Sequence, residues 1–204
     1  MKEINFASSL EKMILHQKSE FFYVNINNIR KIVHNLKFVY YSVVASENLL
    51  AVAISQLQNL ESTDFNNLLL SYYVNHLEEE QGHCKWLAED LSSHGVDLSG
   101  YDLDAMAMIG SQYYMIYHEH PACLLGYLAV VEGTPTPIEE IEKLERIYGK
   151  KLFRFSRFHS IKDMEHKIEL FSVINKLPDA LKNALTLSTE ITLQNLSAAS
   201  KHWI

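Results

Sequence analysis

One stretch of the chain, His159-Ser-Ile-Lys-Asp163-Met-Glu-His166, combines residue types and a spacing that suit metal chemistry. In a helix, His159, Asp163 and His166 stand at i, i+4 and i+7, so their side chains project within about 60° of arc. Two imidazoles and a carboxylate on one face are a ligand set that iron or manganese accepts. The flanking apolar residues are typical of a core helix: Phe153, Phe155, Phe158, Ile161, Ile168, Phe171 and Ile174. The stretch therefore predicts a metal site inside a helical bundle.

The elements that would position these ligands are predicted to be helices. The chain of 204 residues has only seven glycines and four prolines, and it shows no alternating strand pattern bounded by hairpin turns. We predict an all-α bundle of roughly seven to eight helices in one domain over residues 1–204. The predicted helices are 4–22, 27–59 (with a bend allowed near Ser46), 64–94, 103–119, 121–133, 137–148, 150–176 and 178–200, with ends uncertain by about two to four residues.

A second pair of candidate ligands lies in Glu80-Gln-Gly-His83. The i and i+3 spacing is the one by which helical bundles present a carboxylate and an imidazole to di-metal centres. Glu79, at i+4 from His83, could take the place of Glu80. Because Glu78 also adjoins them, a solvated acidic run is the plainer interpretation for at least one of the three glutamates.

Two further carboxylates interrupt apolar segments. Glu132 follows the apolar run 122–131. The helix dipole disfavours a carboxylate in a last turn by about 0.3–1 kcal/mol, and a cation in the core would offset this cost. Glu47 interrupts the apolar run 43–52, where an ionised carboxylate needs a partner or an ion. The plainer interpretation places each at the surface, and for Glu47 the two interpretations are equally well supported.

Composition narrows the class of protein. With 48% hydrophobic and 21% charged residues the chain is globular, and a net charge of −7 without a basic stripe argues against nucleic-acid binding. Cys84 and Cys123 show neither metal-pair spacing nor a disulfide framework, which favours a reducing cytosol. Residues 1–5 lack a signal-peptide core, and the most apolar stretch, 43–54, is too short and polar to span a bilayer. We expect a cytoplasmic protein without a membrane partner.

Taken in chain order, these patterns resemble the heme-oxygenase-like di-iron oxidases, which share a structural superfamily with thiaminase II and pyrroloquinoline-quinone synthase. Three segments carry the resemblance: Asn75–His83, Pro121–Glu132, and the H-x-x-x-D-x-x-H motif of His159–His166, which is the most specific. Together they span roughly residues 40–175. The resemblance implies a heme-oxygenase-like helical bundle that can form homodimers. It also implies two Fe(II) ions, O2 as co-substrate, and oxidation of a small amino- or fatty-acid-like molecule.

The resemblance also implies which residues hold the metals, and it names no catalytic residue beyond them. The implied ligands are Glu47, Glu80, His83, Glu132, His159, Asp163 and His166. In several members the glutamate and histidine of the third helix are two turns apart, and that earlier position is His76 here. His76, Glu79 and Glu80 are therefore alternatives for this ligand. Manganese or a mixed metal pair would accept the same donors.

Two other functions remain open on the same scaffold. A metal-free, thiaminase II-like enzyme would need Cys84 or Cys123 as an activated nucleophile, although both lie in apolar helical stretches. A non-enzymatic interaction protein would carry the ligand residues only as inherited remnants. Retention of the whole H-x-x-x-D-x-x-H motif argues against that second interpretation.

Overall fold

The computed structural model describes residues 5–21 and 26–203, which form α-helices joined by short connections, with no β-strand among them. The predicted all-α class is therefore confirmed. The helices are α1 (Phe6–Phe21), α2 (Ile29–Gln58), α3 (Asp64–Glu80), α4 (His83–Ser92), α5 (Leu103–His118), α6 (Leu124–Val131), α7 (Ile138–Tyr148), α8 (Arg154–Ile174) and α9 (Asp179–Ser200).

The helix predicted over residues 64–94 is wrong as a single element, because it is divided between α3 and α4. Thr63 caps the start of α3 by accepting a hydrogen bond from the Asn66 amide. Gly82, with φ +88°, separates the two helices in a conformation that residues with a Cβ rarely adopt. Short 3₁₀ turns, Pro121–Cys123 and Lys150–Phe153, begin two other predicted helices. The predicted ends at residues 4 and 22 lie outside the described residues.

The most apolar helix, α6, lies in the core and packs against both α8 and α9. Its residues 124–130 are all buried. Gly126 faces α9 so closely that a Cβ at this position would lie 2.8 Å from both the Leu185 carbonyl oxygen and the Thr189 Oγ1. Because these atoms include backbone, the close contact of α6 with α9 requires glycine here.

Gly126→Ala is expected to lower the free energy of unfolding by about 1–3 kcal/mol, the usual cost of overpacking a dense core. The matched control is Gly110→Ala in α5, where an added Cβ would meet nothing within 4 Å. That control should leave stability unchanged or raise it by up to about 1 kcal/mol. Urea denaturation of the two variants measures the difference, and equal stabilities would contradict the packing argument.

Helix α8 does not bury all the apolar residues that flank its motif. Phe153, Phe155 and Ile174 are buried as expected, and Phe171 is partly buried. In contrast, Phe158, Ile161 and Ile168 are 37%, 61% and 72% exposed, so their assignment to the core is wrong. The reason is that polar ligand candidates occupy the inward face of α8, which leaves these apolar side chains on the outward face.

Helix α2 is a single helix of 30 residues. Its length and composition would also permit it to cross a bilayer, a criterion that the core helix of a soluble bundle meets equally well. In the structure α2 packs against α3, α4 and α5. Ser42, Ser46 and Glu47 on this helix line an internal cavity.

Candidate metal centre

The H-x-x-x-D-x-x-H motif lies on the inward face of α8. Asp163 and His166 are buried, and the side chain of His159 is only 14% exposed. The Asp163 Oδ1 lies 3.1 Å from His159 Nδ1 and 3.6 Å from His166 Nδ1. The motif therefore presents its three side chains to the same interior space, as the helical spacing predicts.

One group of donors, here the His83 group, consists of Glu80, His83 and His159. Glu80 ends α3 and His83 begins α4, and the Glu80 Oε2 lies 3.0 Å from His83 Nδ1 and 4.0 Å from His159 Nε2. The two imidazole rings meet edge to face at 5.1 Å. Nitrogen and oxygen ligands that are each about 2 Å from one ion lie no more than about 4 Å apart. All donor atoms of this group lie within 4.8 Å of one another, a spacing close to that of ligands on a single ion.

A second group, the His166 group, contains His76, His166 and the partly exposed Glu79, whose donor atoms lie within 4.8 Å of one another, and we include Glu132 because it contacts both histidines. The His76 Nε2 lies 3.1 and 3.2 Å from the two Glu132 oxygens, and His166 Nδ1 lies 3.6 Å from Glu132 Oε2. Glu79 reaches His166 Nε2 at 3.1 Å, although its side chain is 43% exposed. The sequence offered His76 only as an alternative to Glu80. Because His76 stands four residues before Glu80, one turn of α3 brings both to the site.

Two carboxylates lie between these groups. The Glu80 Oε1 is 3.7 Å from His166 Nδ1, while Oε2 of the same side chain contacts His83. Asp163 lies between His159 of one group and His166 of the other. The two groups thus form one continuous cluster, in which Glu80 and Asp163 each contact a histidine of both groups.

Four donor atoms of this cluster are buried without a hydrogen-bond partner among the described residues. They are Glu80 Oε1, His159 Nε2, His166 Nδ1 and Glu132 Oε2, the last of which has an ion-pair contact with His76 Nε2 at 3.1 Å. An unsatisfied buried polar atom costs about 1–3 kcal/mol, and native structures contain few of them. Four such atoms in one cluster of imidazoles and carboxylates fit a site for divalent cations, which would satisfy them.

The carboxylates control the protonation of the histidines. Burial lowers the pKa of His76, but the charge and hydrogen bond of Glu132 outweigh it and raise the pKa to about 9. Burial likewise opposes protonation of His159 and His166, whereas neighbouring carboxylates, Asp163 first among them, raise the pKa of both. Burial would raise the pKa of Asp163, yet the hydrogen bond from His159 and the nearby charge of His166 keep it below its usual value. Without metal, protons therefore balance part of the carboxylate charge.

The stability of the metal-free protein is expected to fall as the pH rises from 6.5 to 9. Below pH 6.5 His76 is protonated in both the folded and the unfolded chain, and its pairing with Glu132 stabilises the fold in full. As the pH passes through the folded-state pKa of about 9, the proton and this contribution are lost. Urea denaturation with chelator at both pH values measures the loss. His76→Gln should reduce it, while the control His16→Gln, at an exposed residue, should not.

Glu47 is not brought into either group. Its Oε1 accepts a hydrogen bond from the Gly82 amide at 2.9 Å and lies 3.8 Å from the Cys84 Sγ. This contact holds the connection between α3, which ends at Glu80, and α4, which begins at His83. Glu47 also lines the cavity that the ligand candidates line, so its carboxylate lies close to the site.

A largely apolar cavity of about 490 Å³ opens onto the cluster. Its polar end is formed by His76, Glu80, Glu132, His159 and Asp163, and its walls come chiefly from α2, α6, α7 and α8. The wall residues include Ile32, Leu36, Val39, Val43, Val130, Ile141, Leu144 and Phe155. The volume lies in the range of small-molecule sites, and the apolar walls would exclude water from the cluster.

The helical bundle has a heme oxygenase-like fold, and its cluster of histidines and carboxylates is a candidate site for metal ions. Residues 34–194 match the model of the iron-containing redox enzyme family, and the chain belongs to this family. The fold is similar to that of a domain of unknown function from Shewanella denitrificans with a heme oxygenase-like fold. The TM-score is 0.69 at 18% identity, over 95% of this chain and 88% of the other. No curated protein matches this chain.

Proposed function

We propose that this protein is a non-heme di-iron oxidase or oxygenase that uses O2 to oxidise a small, amino- or fatty-acid-like organic molecule. Membership of the iron-containing redox enzyme family supports a redox function and iron as the metal. The observation that carries the finer proposal is the buried cluster of two adjacent donor groups, in which Glu80 contacts both His83 and His166 and four donor atoms lack a hydrogen bond. Manganese or a mixed pair would be the alternative occupant.

The proposed ligands are those of the sequence analysis together with His76. The His83 group would hold one ion and the His166 group the other, with Glu80 and Asp163 between them. Glu47, Glu80, Glu132 and Asp163 supply four negative charges, which balance two divalent cations. Glu47 accepts the Gly82 amide at Oε1, which leaves Oε2 as a donor, so we propose it as an additional carboxylate beside the His83 group.

The residues of the chain would bind and orient the substrate and shield the cluster from water. When bound, an iron pair supplies the redox chemistry by which O2 oxidises the substrate. The apolar walls of the cavity would hold the hydrocarbon part of the substrate and keep bulk water from the cluster. The hydroxyls of Ser46 and Tyr127, hydrogen-bonded at 2.9 Å, are polar groups on this wall that can orient a bound molecule.

The thiaminase II-like alternative has less support. Such a mechanism needs an accessible cysteine with a lowered pKa. Burial, with Glu47 adding to it, raises the pKa of the Cys84 thiol, and burial raises that of Cys123 to about 11. Neither cysteine is therefore activated as a nucleophile.

Anaerobic loading with Fe(II) followed by elemental analysis tests the proposal. We expect close to two iron atoms per chain, a change in absorbance on exposure to air, and O2 consumption stimulated by a member of a panel of amino and fatty acids. A protein that binds no metal, and whose properties are unchanged by His159→Ala and Glu132→Ala, would instead be an interaction protein. Activity that depends on Cys84 or Cys123 but not on metal would support the thiaminase II-like function.

A further inference from the structure

We propose that two charged residues outside the ligand set, Asp90 and Lys18, each position one of the two donor groups. Asp90 would hold the His83 group in place and Lys18 the His166 group. This inference rests on the proposed two-metal function, but its evidence comes from contacts outside the cluster. Both residues are positioning residues, since neither is a proposed ligand.

Asp90 connects α4 to the beginning of α8. It is fully buried, and its Oδ2 accepts a hydrogen bond from the Phe155 amide at 3.0 Å. Its Oδ1 accepts one from Arg154 Nε at 2.5 Å. The first amides of a helix have no partner within the helix, and a carboxylate there is favoured by the helix dipole. Asp90 thus caps α8 from a neighbouring helix.

The position of Asp90 determines how closely His83 and His159 approach each other. Asp90 is seven residues after His83, or about two turns along the same face of α4, and Phe155 is one turn before His159. The hydrogen bonds of Asp90 with the Phe155 amide and Arg154 therefore hold this face of α4 against the beginning of α8. The Phe155 ring also packs on the His159 ring at 4.2 Å. These contacts bring His83 and His159 together.

Lys18 has the corresponding role at the end of α6. Its Nζ donates to the Val130 carbonyl oxygen at 3.2 Å and to Thr134 Oγ1 at 2.6 Å. The last carbonyls of a helix lack partners within the helix, and a lysine there is favoured by the dipole. Val130 precedes Glu132 by two residues and Thr134 follows it by two. Lys18 of α1 thus holds both sides of the turn that carries Glu132.

The test is anaerobic Fe(II) titration of the full-length chain, with binding of the two ions resolved as two phases. Asp90→Asn should lower the Fe(II) affinity of one phase by about 10- to 100-fold, the usual effect of losing a residue that orients a metal ligand. Lys18→Met should weaken the other phase to a similar extent. In each variant the second phase should stay within about twofold of the wild type.

Double variants assign each phase to its group. Combining Asp90→Asn with His83→Ala should affect a single phase, whereas combining it with His76→Ala should weaken both. Glu89→Gln is the control for Asp90, because Glu89 pairs with the same Arg154 from an exposed position. Lys12→Met, at an exposed lysine of α1, is the control for Lys18. Neither control should change either phase.

Arg154→Gln is a milder variant for the case in which Asp90→Asn does not fold, since the side chain of Arg154 is about half exposed. It should weaken the same phase to a smaller degree. Two unaffected phases in these variants, or equal weakening of both by each of them, would overturn the inference while leaving the two-metal function standing. A wild-type chain that does not bind two ions would instead overturn the proposed function.

Discussion

Glu80→Ala is expected to reduce the iron content of the anaerobically loaded protein from close to two atoms per chain to well below one. The reason is that Glu80 contributes to both donor groups, since its two oxygens approach His83 and His166 from opposite sides. Removal of a ligand from only one group, as in His83→Ala, should leave about one ion bound. Elemental analysis after desalting under anaerobic conditions measures the difference.

Glu78→Ala is the matched control for this prediction. Glu78 belongs to the same acidic run, but its side chain is exposed at the surface. Its replacement should leave the iron content and the O2-dependent absorbance change as in the wild type. If Glu80→Ala still bound two ions, Glu80 would not be a shared ligand, and the exposed Glu79 would become the preferred carboxylate of α3.

Binding of Fe(II) is expected to raise the melting temperature by about 5–10 °C for each ion. A ligand present at about 100 times its dissociation constant stabilises the folded state by about 2.7 kcal/mol. For a chain of this length, 1 kcal/mol corresponds to about 2–4 °C. The physical reason is that the ions satisfy the four unpaired donor atoms and compensate the carboxylates that otherwise repel one another. Calorimetry with Fe(II) and with chelator, under anaerobic conditions, measures the shift.

The effect should depend on the cluster and not on unspecific binding to an acidic protein. His166→Ala, which removes the most buried imidazole of the cluster, should lose at least half of the shift. His94→Ala, at an exposed histidine outside the cluster, should retain all of it. Equal melting temperatures with iron and with chelator would argue that no metal binds, because preferential binding to the folded state must stabilise it.

The helical class and the central motif could be predicted from the sequence because both are local properties. The i, i+4, i+7 spacing of His159, Asp163 and His166 determines that they share a helix face, whatever surrounds the helix. The apolar run that precedes Glu132 likewise predicts a buried helix. The resemblance built on these segments led to the iron-containing redox enzyme family, to which the chain belongs.

Only the tertiary structure decided how the candidates combine. Gly82 divides a helix that periodicity alone made continuous, and the break places Glu80 and His83 on different helices. His76 enters the cluster because Glu132, directly after α6, lies 3.1 Å away, a contact between residues far apart in the chain. Glu47 instead contacts the Gly82 amide, and Phe158, Ile161 and Ile168 are exposed. Sequence spacing determines which residues share a face, whereas the packing of whole helices determines what that face meets.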